Sequence, residues 1–427
     1  MRVYFSGIGG VAIGPLAEIA ADAGHTVCGS DREAGLMTAA LEQRGLMVSF
    51  DQSGAFLRQQ HAAQPFDWLV HTAALPADHP ELAAARALGI RTGKRDEFLA
   101  HLLETTGLKL VAVAGTHGKT TTTGMLVWIL QRLGVPVSYS VGSTLSFGPS
   151  GRFDTESQLF IYECDEFDRN FLHFRPWLSV ITSVGYDHPD TYPTEEEYLA
   201  AFRQFGAQSE QVLAWREDAA AFAPGNLTVI EAIDSRITLA GQHNRRNATL
   251  VLRAAERVMG ELSSVNEAAT DADKLFDAIN AFPGTGRRFE RLAGHLYSDY
   301  GHHPAEIRAT LQLARELNDQ VVLVYQPHQN TRQHQVHEQY TDDLFAAADE
   351  VYWLSTHLTR EDPSLAVLAP QQLTQQLNDT VVHHAELNDA LWETITAARR
   401  AGKLVLCMGA GSIDSWVRHH ASAAPNA

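Results

Sequence analysis

The segment Val111-Ala112-Val113-Ala114-Gly115-Thr116-His117-Gly118-Lys119-Thr120-Thr121-Thr122 decides how this chain is interpreted. An apolar run ends in Gly-x-x-Gly-Lys-Thr, and apolar residues continue at helical spacing from Met125 to Leu133. This pattern predicts a strand, a tight loop and a helix, with the loop N–H groups and the positive helix end facing an anion. The sequence therefore predicts a phosphate-binding loop, and the expected ligand is a nucleoside triphosphate.

Within this loop, Lys119 adds a full positive charge and Thr120 offers a hydroxyl to Mg²⁺. The usual pattern G-x-x-x-x-G-K-[ST] would place a glycine at position 113, where this chain has Val113. The alternative interpretation is a plain glycine turn with an exposed lysine. Because both glycines, the lysine and the threonine run meet at one strand-to-helix junction, the phosphate loop is the favoured interpretation.

Composition limits the classes of protein that this chain can represent. Its 427 residues exceed one ordinary core and predict about two to four domains, of which we expect three. The formal net charge of −18 argues against sequence-independent binding of nucleic acid or of an anionic membrane. The three cysteines, Cys28, Cys164 and Cys407, are scattered, which fits a reducing cytoplasm. No apolar run reaches the ~18 residues needed to span a bilayer, and no signal-peptide layout precedes the first strand, so we expect a soluble cytoplasmic protein.

The N-terminal segment has a second nucleotide signature. A strand at residues 3–5 runs into a glycine-rich stretch at 6–14 and then into a helix, which is the arrangement of a Rossmann-type turn. The second strand ends at Asp31, where a dinucleotide fold binds a ribose hydroxyl. Taken alone this pattern suggests NAD, although any nucleotide diphosphate could use the same geometry.

Alternating strands and helices predict an α/β chain of three domains. Strands at 67–71 and 90–92 alternate with a helix at 80–88 in the first third, and strands at 295–297, 321–325 and 403–408 alternate with helices at 304–316 and 341–348 in the last. A Gly/Pro-rich segment at 282–290 separates the last third, and we expect the tail at 419–427 to be disordered. The predicted domains are a Rossmann-like domain at 1–106, a central P-loop domain with a parallel-rich sheet at 107–290 and a second Rossmann-like domain at 291–427.

Two apolar strands of the central domain lead into acidic segments. Glu163 follows the first directly, and Asp187-His188 follows the second after a short connection. Because parallel strands end at one edge of a sheet, we expect Glu163 and His188 to converge on the phosphates as Mg²⁺ ligands. The alternative is a solvated acidic loop and a surface histidine. For the neighbouring carboxylates the solvated-loop interpretation is nearly as good; these are Asp165, Glu166 and Asp168.

Three further polar segments stand at element ends. Gly241-Gln242-His243-Asn244-Arg245-Arg246-Asn247 opens a helix and, without context, is explained by helix capping. In the last third, Asp299-Tyr300-Gly301-His302-His303-Pro304 and residues 326–332 follow strands, where an open α/β sheet places its ligands.

These motifs, in this order, resemble those of the Mur ligase family of peptidoglycan synthesis. The resemblance covers nearly the whole chain and rests on Gly-Ile-Gly-Gly near the start, Gly-Thr-His-Gly-Lys-Thr-Thr-Thr, Glu163-Cys-Asp-Glu-Phe-Asp, Asp187-His188, His243-Asn-x-x-Asn247, Gly-x-x-Arg287-Arg-Phe, Asp-Tyr-Gly-His-His-Pro and Gly-Ala-Gly. It implies an ATP- and Mg²⁺-dependent ligase. In that reaction the lactyl carboxylate of UDP-N-acetylmuramate attacks the γ-phosphate, and an amine then displaces phosphate from the acyl phosphate. It also implies a monomer or weak homodimer.

The resemblance assigns roles to particular residues. The UDP part would be bound, in place of NAD, by Gly7, Ile8, Gly9, Gly10 and Asp31. ATP would be bound by Gly115, Thr116, His117, Gly118, Lys119, Thr120, Thr121, His243, Asn244, Asn247, Arg287 and Asp299, with Arg287 on the γ-phosphate. Mg²⁺ would be held by Thr120, Glu163 and His188. Tyr300, His302 and Arg332 would serve the amino substrate, and the catalytic set would be Lys119, Glu163, His188, Arg287 and His302.

The amino substrate stays open between two members of the family. Members that use free L-alanine carry Gln-Pro-His-Arg-x-x-Arg, whereas this chain has Gln329 at the first arginine and retains Arg332. Members that use the murein tripeptide L-Ala-γ-D-Glu-meso-diaminopimelate carry an Asn-Thr pair, like Asn330-Thr331 here. We rank L-alanine first. Two other classes compete with a ligase: a nicotinamide-dependent oxidoreductase using residues 7–31 alone, and a regulatory NTPase using the central domain alone.

Overall fold

In this computed structural model the described residues are 1–10, 13–72, 75–223, 225–262, 272–359, 361–378 and 380–423. Val11 and Ala12 of the predicted glycine-rich turn and residues 424–427 of the predicted tail lie outside them. The chain divides into two compact units, one of Met1–Ala232 with Ala248–Phe282 and one of Ile233–Asn247 with Pro283–Ala427. None of the described helices is both long and apolar enough to cross a membrane.

The first unit begins with a parallel sheet in the order β3-β2-β1-β4-β5. Its strands are β1 (Arg2–Ser6), β2 (Thr26–Ser30), β3 (Met47–Ser49), β4 (Trp68–His71) and β5 (Arg91–Lys94). The helices between and after them are α1 (Ile13–Asp22), α2 (Leu36–Gln43), α3 (Ala55–Ala63), α4 (Pro80–Leu88) and α5 (Arg95–Thr106). The three central strands are almost entirely buried, as parallel strands covered on both faces must be.

The second sheet of this unit has the order β12-β11-β10-β6-β9-β7-β8, and only the pair β7 and β8 is antiparallel among its described strands. Its strands are β6 (Lys109–Ala114), β7 (Ser138–Ser140), β8 (Gly151–Arg152), β9 (Leu159–Glu163), β10 (Leu178–Ile181), β11 (Gln211–Trp215) and β12 (Leu227–Ile230). Its helices are α6 (Lys119–Arg132), α7 (Glu195–Gln208), α8 (Gln242–Glu261), which starts in the other unit, and α9 (Ala272–Asn280); Phe167–His173 and Arg216–Ala221 are 3₁₀-helical.

One continuous hydrophobic core joins the two sheets of the first unit. It runs from Phe5 and Phe98 to Phe171 and Phe202, all of which are fully buried. A buried polar contact accompanies it, because the hydroxyl of Tyr162 on β9 donates to the carboxylate of Asp96 on α5. Buried polar groups require such partners, so this contact fixes how α5 packs on β9.

The second unit contains a sheet in the order β13-β14-β18-β15-β16-β17, in which β13 and β14 are antiparallel and the other pairs parallel. Its strands are β13 (Glu290–Ala293), β14 (Leu296–Asp299), β15 (Val321–Tyr325), β16 (Glu350–Trp353), β17 (Val382–His384) and β18 (Leu404–Met408). Its helices are α10 (Pro304–Leu317), α11 (Asn330–Val336), α12 (Asp342–Phe345), α13 (Pro370–Leu373), α14 (Asp389–Arg400) and α15 (Ile413–Ala423).

Two sequence expectations are wrong in this unit. The tail was expected to be disordered from residue 419, yet α15 continues to Ala423, because Ile413 and Val417 anchor it in the core beneath the sheet. The helix expected at 341–348 ends at Phe345. Asp349 accounts for the early end, because its backbone and its carboxylate bond to Val321 at the start of β15 and draw the chain into an extended path.

The first prediction concerns Gly115, which has a φ of 131°. A Cβ there would lie 2.7 Å from the carbonyl oxygen of Ser183, a backbone atom that cannot move aside. We expect Gly115→Ala to lower the melting temperature and to distort the loop, at a cost on the order of 1–3 kcal/mol. Gly134→Ala is the matched control, since Gly134 has a φ of 72° and open space around it. Equal melting temperatures for the two variants would contradict the steric argument.

Candidate active site

The phosphate loop lies between β6 and α6 and is held from one side by the segment that follows β10. The amide of Thr116 donates to the carbonyl of Ser183 at 3.0 Å, and the amide of His117 donates to the Ser183 hydroxyl at 3.1 Å. The hydroxyl of Thr116 donates to the carbonyl of Gly185 at 2.8 Å and lies 2.7 Å from the hydroxyl of Tyr198. These bonds fix the shape of the loop through contacts within the chain.

Lys119 begins α6, and its side chain turns back into the loop. Its Nζ donates to the carbonyl of Gly115 at 2.8 Å and to Oε2 of Glu166 at 2.7 Å, and it lies 3.7 Å from Oδ1 of Asp165. Burial alone would lower the pKa of Lys119, but the adjacent carboxylates outweigh burial and raise this pKa above its usual range. Lys119 therefore carries its positive charge into the loop at neutral pH.

Thr120 and Glu163 are direct partners. The hydroxyl of Thr120 donates to Oε1 of Glu163 at 2.6 Å, while the amide of Gly142 donates to Oε2 at 2.7 Å. The pairing of β6 with β9 sets Glu163 opposite Val113, just before the loop. A hydroxyl and a carboxylate oxygen side by side at the loop are the oxygen ligands that Mg²⁺ prefers, so these two members of the predicted donor set fit this ion.

His188 lies on the other side of Lys119. It has a φ of 58°, and its Nε2 lies 3.7 Å from Oε1 of Glu166 and 3.8 Å from Oδ2 of Asp187. Burial opposes a charge on the ring, but the nearby carboxylates of Glu166 and Asp187 raise the pKa of His188 above its usual value. The structure thus brings Glu163 and His188 to the same loop, one through Thr120 and one through Glu166.

The acidic segment after β9 divides into buried and exposed members. The solvated-loop interpretation is wrong for Glu166, which has no solvent exposure. It describes Asp168, whose side chain is 42% exposed and pairs with Lys94. Sequence spacing did not separate the two residues, because the chain after Glu163 leaves the strand and each side chain's direction depends on the following 3₁₀-helix.

The glycine turn after β1 is closed by its own chain. The amides of Gly7 and Ile8 donate to the carbonyl of Ser30 at 2.8 and 2.9 Å, and the amide of Gly9 donates to Oδ2 of Asp31 at 2.7 Å. The amide of Gly10 donates to the carbonyl of Gly7 at 3.0 Å. The four predicted UDP-binding residues and Asp31 therefore form one bonded turn, in which Asp31 supports the backbone.

The start of α8, in the second unit, packs against α10. The amide of Gly241 donates to Oε2 of Glu316 at 2.8 Å, and the side-chain amide of Asn244 donates to the carbonyl of Ala240 at 3.0 Å. Burial lowers the pKa of His243 to about 4, partly opposed by Glu316, so its ring is neutral. Asn247 is buried as well. Asn244 thus shapes this helix start whatever else it binds.

Asp299, at the end of β14, organises the predicted Arg287 site. Its two carboxylate oxygens accept from the amides of Phe289 and Gly301, each at 2.7 Å. The amide of Tyr300 donates to the carbonyl of Arg287 at 2.8 Å, and the guanidinium of Arg287 lies 4.6 Å from the centroid of the Tyr300 ring. Asp299 therefore fixes the two segments that present Arg287 and Tyr300.

A group of histidines lies next to this pair. The ring of His302 is 5.5 Å from Tyr300 and 5.7 Å from His328, and His328 stacks on His357 at 5.7 Å. Burial lowers the pKa of His302, with Glu306 opposing and Arg332 adding to the shift. The structure therefore places the predicted Tyr300 and His302 side by side, with Arg332 near enough for its charge to act on the pKa of His302. Sequence analysis did not single out His357, which joins the group from the segment after β16.

Two backbone features hold this group in place. A Cβ at Gly411 would lie 2.5 Å from the side chain of His357, so this position requires glycine. Oε1 of Gln326 accepts from the amide of Ile413 at 3.0 Å and caps α15. The Gly-Ala-Gly segment thus serves close packing behind the histidines.

Comparisons with known proteins point to one family along nearly the whole chain. Residues 2–106 match the model described as Mur ligase family, catalytic domain; residues 113–223 match the Mur ligase middle domain; and residues 287–411 match the Mur ligase glutamate ligase domain. A curated UDP-N-acetylmuramate--L-alanine ligase from a Nocardioides species is 32% identical over 442 residues, which cover 97% of this chain and 94% of the relative.

Solved structures share the fold. A UDP-N-acetylmuramate-alanine ligase from Thermotoga maritima superposes with a TM-score of 0.74 at 24% identity, covering 99% of this chain and all of that one. A murein peptide ligase from Psychrobacter arcticus gives 0.64 at 22% identity, with both chains fully covered. The predicted three-domain α/β fold and the predicted ligase class are confirmed at this level. The chain belongs to the Mur ligase family.

Proposed function

We propose that this protein joins L-alanine to UDP-N-acetylmuramate at the expense of ATP, with Mg²⁺ as cofactor. The observation that supports this most directly is the full-length similarity to relatives named for that reaction, at 32% identity. Lys119, Thr120 and Glu163 lie around one loop and provide the kinds of groups that a phosphoryl-transfer site needs. We also propose a cytoplasmic monomer or weak homodimer, with domains at 1–106, 107–290 and 291–427.

The proposed reaction has two steps. A lactyl carboxylate oxygen attacks the γ-phosphorus, the bond to the β-phosphate oxygen breaks, and ADP leaves. The amine nitrogen of the amino acid then attacks the acyl carbon, phosphate leaves with the bonding pair, and the nitrogen loses a proton. No enzyme nucleophile is needed, so the residues act by positioning and by neutralising charge.

In the first unit, the contacts support the following roles. Lys119 would place its ammonium group against the β- and γ-phosphates, and the start of α6, from Lys119 to Thr121, would supply backbone donors. Thr120, Glu163 and His188 would hold Mg²⁺, which when bound neutralises phosphate oxygens. The turn from Gly7 to Gly10, closed by Asp31, would receive the UDP part.

In the second unit, we assign adenine to the α8 start with His243, Asn244 and Asn247, and the γ-phosphate to Arg287, which Asp299 supports. Tyr300, His302 and Arg332 would receive the amino substrate, with the guanidinium of Arg332 on its carboxylate.

The murein tripeptide is the second candidate amino substrate, because Gln329 replaces an arginine and Asn330-Thr331 matches the tripeptide-using members. The structure gives Asn330 a role that does not involve the amino substrate. It is buried, its Nδ2 donates to the carbonyl of Ala366 at 3.0 Å, and its Oδ1 accepts from the amide of Leu368 at 2.9 Å. Asn330 therefore anchors a loop, which leaves Gln329 and Thr331 to bear on the choice.

The deciding experiment is phosphate release from ATP with UDP-N-acetylmuramate and a panel of amino acids and peptides. We expect release that requires both UDP-N-acetylmuramate and L-alanine. Release unaffected by any UDP-sugar would favour a regulatory NTPase, and tight NAD binding without ATP binding would favour an oxidoreductase.

The second prediction concerns Lys119. We expect Lys119→Ala to lower turnover by on the order of 10² to 10³ while the protein stays folded, because one preorganised positive charge is lost. Lys109→Ala is the control, since Lys109 is a half-exposed lysine at the start of β6 that pairs with Glu261. Initial rates and thermal melts measure both variants. A Lys119→Ala rate within tenfold of wild type would rule out the assigned role.

The third prediction concerns the metal. We expect Glu163→Ala and His188→Ala each to raise the Mg²⁺ concentration for half-maximal activity at least about tenfold, because each removes a proposed ligand. The exposed His173 provides the control variant His173→Ala. An unchanged Mg²⁺ titration for either variant excludes that residue as a ligand.

The fourth prediction concerns Gln329, which precedes α11 with a φ of 60°. Gln329→Arg leaves this backbone constraint alone, since neither side chain is β-branched. The new guanidinium should lower the KM for L-alanine by roughly tenfold to a hundredfold, the effect of one hydrogen bond to a charged group, and leave the KM for ATP unchanged. Gln335→Arg, at an exposed site on the same helix, is the control for added charge. Wild-type turnover of the tripeptide but not of L-alanine would establish the second candidate.

A further inference from the structure

The carboxylate of Glu166 lies between two predicted functional groups. It is fully buried and comes three residues after Glu163. Its Oε2 accepts from the ammonium of Lys119 at 2.7 Å, and its Oε1 faces Nε2 of His188 at 3.7 Å. Oε1 also lies 3.5 Å from the hydroxyl oxygen of Tyr198, whose ring packs beside it. One side chain thus touches the phosphate-loop lysine and the predicted histidine ligand, one through each oxygen.

The position of this carboxylate is fixed by its own backbone. The Glu166 carbonyl accepts from the hydroxyl of Tyr192 at 2.6 Å and from the amide of Arg169 at 3.0 Å. The rings of Tyr192 and Tyr198 pack edge to face at 5.0 Å beside it. A buried carboxylate is costly unless it is paired and held in good geometry, and here both conditions are met.

We propose that Glu166 is a positioning residue for the ligase reaction, which holds Lys119 and His188 on the two oxygens of one carboxylate before nucleotide and metal bind. The proposal rests on the proposed function only for the identity of the reaction. A histidine that ligates a metal usually donates its other ring N–H to a carboxylate, which fixes the tautomer and raises the basicity of the coordinating nitrogen. With Nε2 facing Glu166, Nδ1 is the ring nitrogen that would be left to coordinate the metal.

The chemistry of the side chain makes the proposal testable. A carboxylate accepts on both oxygens, whereas an amide accepts on one atom and donates from the other. The side-chain oxygen in Glu166→Gln can therefore accept a hydrogen bond from Lys119 or from His188, but not from both in their wild-type protonation states. Glu166→Asp keeps both acceptors and the charge, but places them one methylene further from both partners.

Two measurements separate positioning from a purely structural ion pair. The first is kcat under saturating substrates. The second is ADP binding by calorimetry, once in EDTA and once in Mg²⁺, which needs neither UDP-N-acetylmuramate nor an amino acid. Removing a negative charge near the phosphates cannot weaken their attraction to Lys119, so ADP binding in EDTA should be as tight as in wild type or tighter.

For Glu166→Gln we expect kcat to fall roughly tenfold to a hundredfold and the tightening of ADP binding by Mg²⁺ to shrink by a similar factor. For Glu166→Asp we expect a melting temperature close to that of wild type, but a lowered kcat. Glu166→Asp keeps the buried charge, so it still tests the positioning role if Glu166→Gln does not fold. Asp168→Asn is the control from the same segment, exposed and paired with Lys94, and should stay within about twofold of wild type on both readouts.

Three outcomes would overturn the proposal. These are a kcat within threefold of wild type for a folded Glu166→Gln variant, full recovery of kcat in Glu166→Asp, or loss of ADP binding in EDTA in step with a lowered melting temperature. If wild type itself shows no turnover with L-alanine, the proposed function fails, while the ADP and Mg²⁺ arm still decides the role of Glu166.

Discussion

The order of the parallel strands β10-β6-β9 is the constraint on which the phosphate-loop site depends. Parallel neighbours end at the same edge of a sheet, so the loop after β6, the acidic segment after β9 and the segment after β10 leave it side by side. The register sets Ala114 opposite Ile181 and Val113 opposite Glu163. Thr120 and Glu163, 43 positions apart, therefore reach hydrogen-bonding distance.

That edge collects several negative charges, although a triphosphate is proposed to bind there. Glu163, Asp165 and Glu166 surround one lysine, and together they raise the pKa of Lys119 against the effect of its burial. The acids in turn depend on Lys119 and His188, which keep the pKa of Glu166 below its usual range although burial would raise it. The Mg²⁺ proposed beside Glu163 would reconcile this charge with phosphate, since a divalent cation attracts both.

In the second unit, several polar residues that follow strands hold backbone rather than face a ligand. Asp299 bonds two amides across the Arg287 turn, Asn330 anchors the segment at 366–368, and Gln326 caps α15. Buried polar groups need partners, and loops at a sheet edge supply unpaired amides, so such residues are recruited for support. Asp31 in the first unit behaves in the same way toward Gly9.

The sequence by itself determined the α/β class, the glycine loop between β6 and α6 and the convergence of Glu163 and His188 on that loop. Each of these follows from a local pattern. A Gly-x-x-Gly-Lys-Thr run between a strand and a helix occurs in few folds, and acidic residues that follow parallel strands lie at the same edge of the sheet. The tail showed the limit of that reasoning, since the polar composition from residue 419 onward does not reveal that the helix containing it is anchored upstream by Ile413 and Val417, which the sheet buries.

Only the tertiary structure distinguished Glu166 from Asp168, two carboxylates of one short segment, one buried against Lys119 and the other exposed beside Lys94. The same holds for His357, which joins His328 from a distant loop. The physical reason is that side-chain direction outside regular elements is set by neighbours from elsewhere in the chain. Tyr192 and Tyr198 orient Glu166, and His357 packs closely against Gly411. Neither contact produces a repeating pattern in the sequence from which it could be predicted.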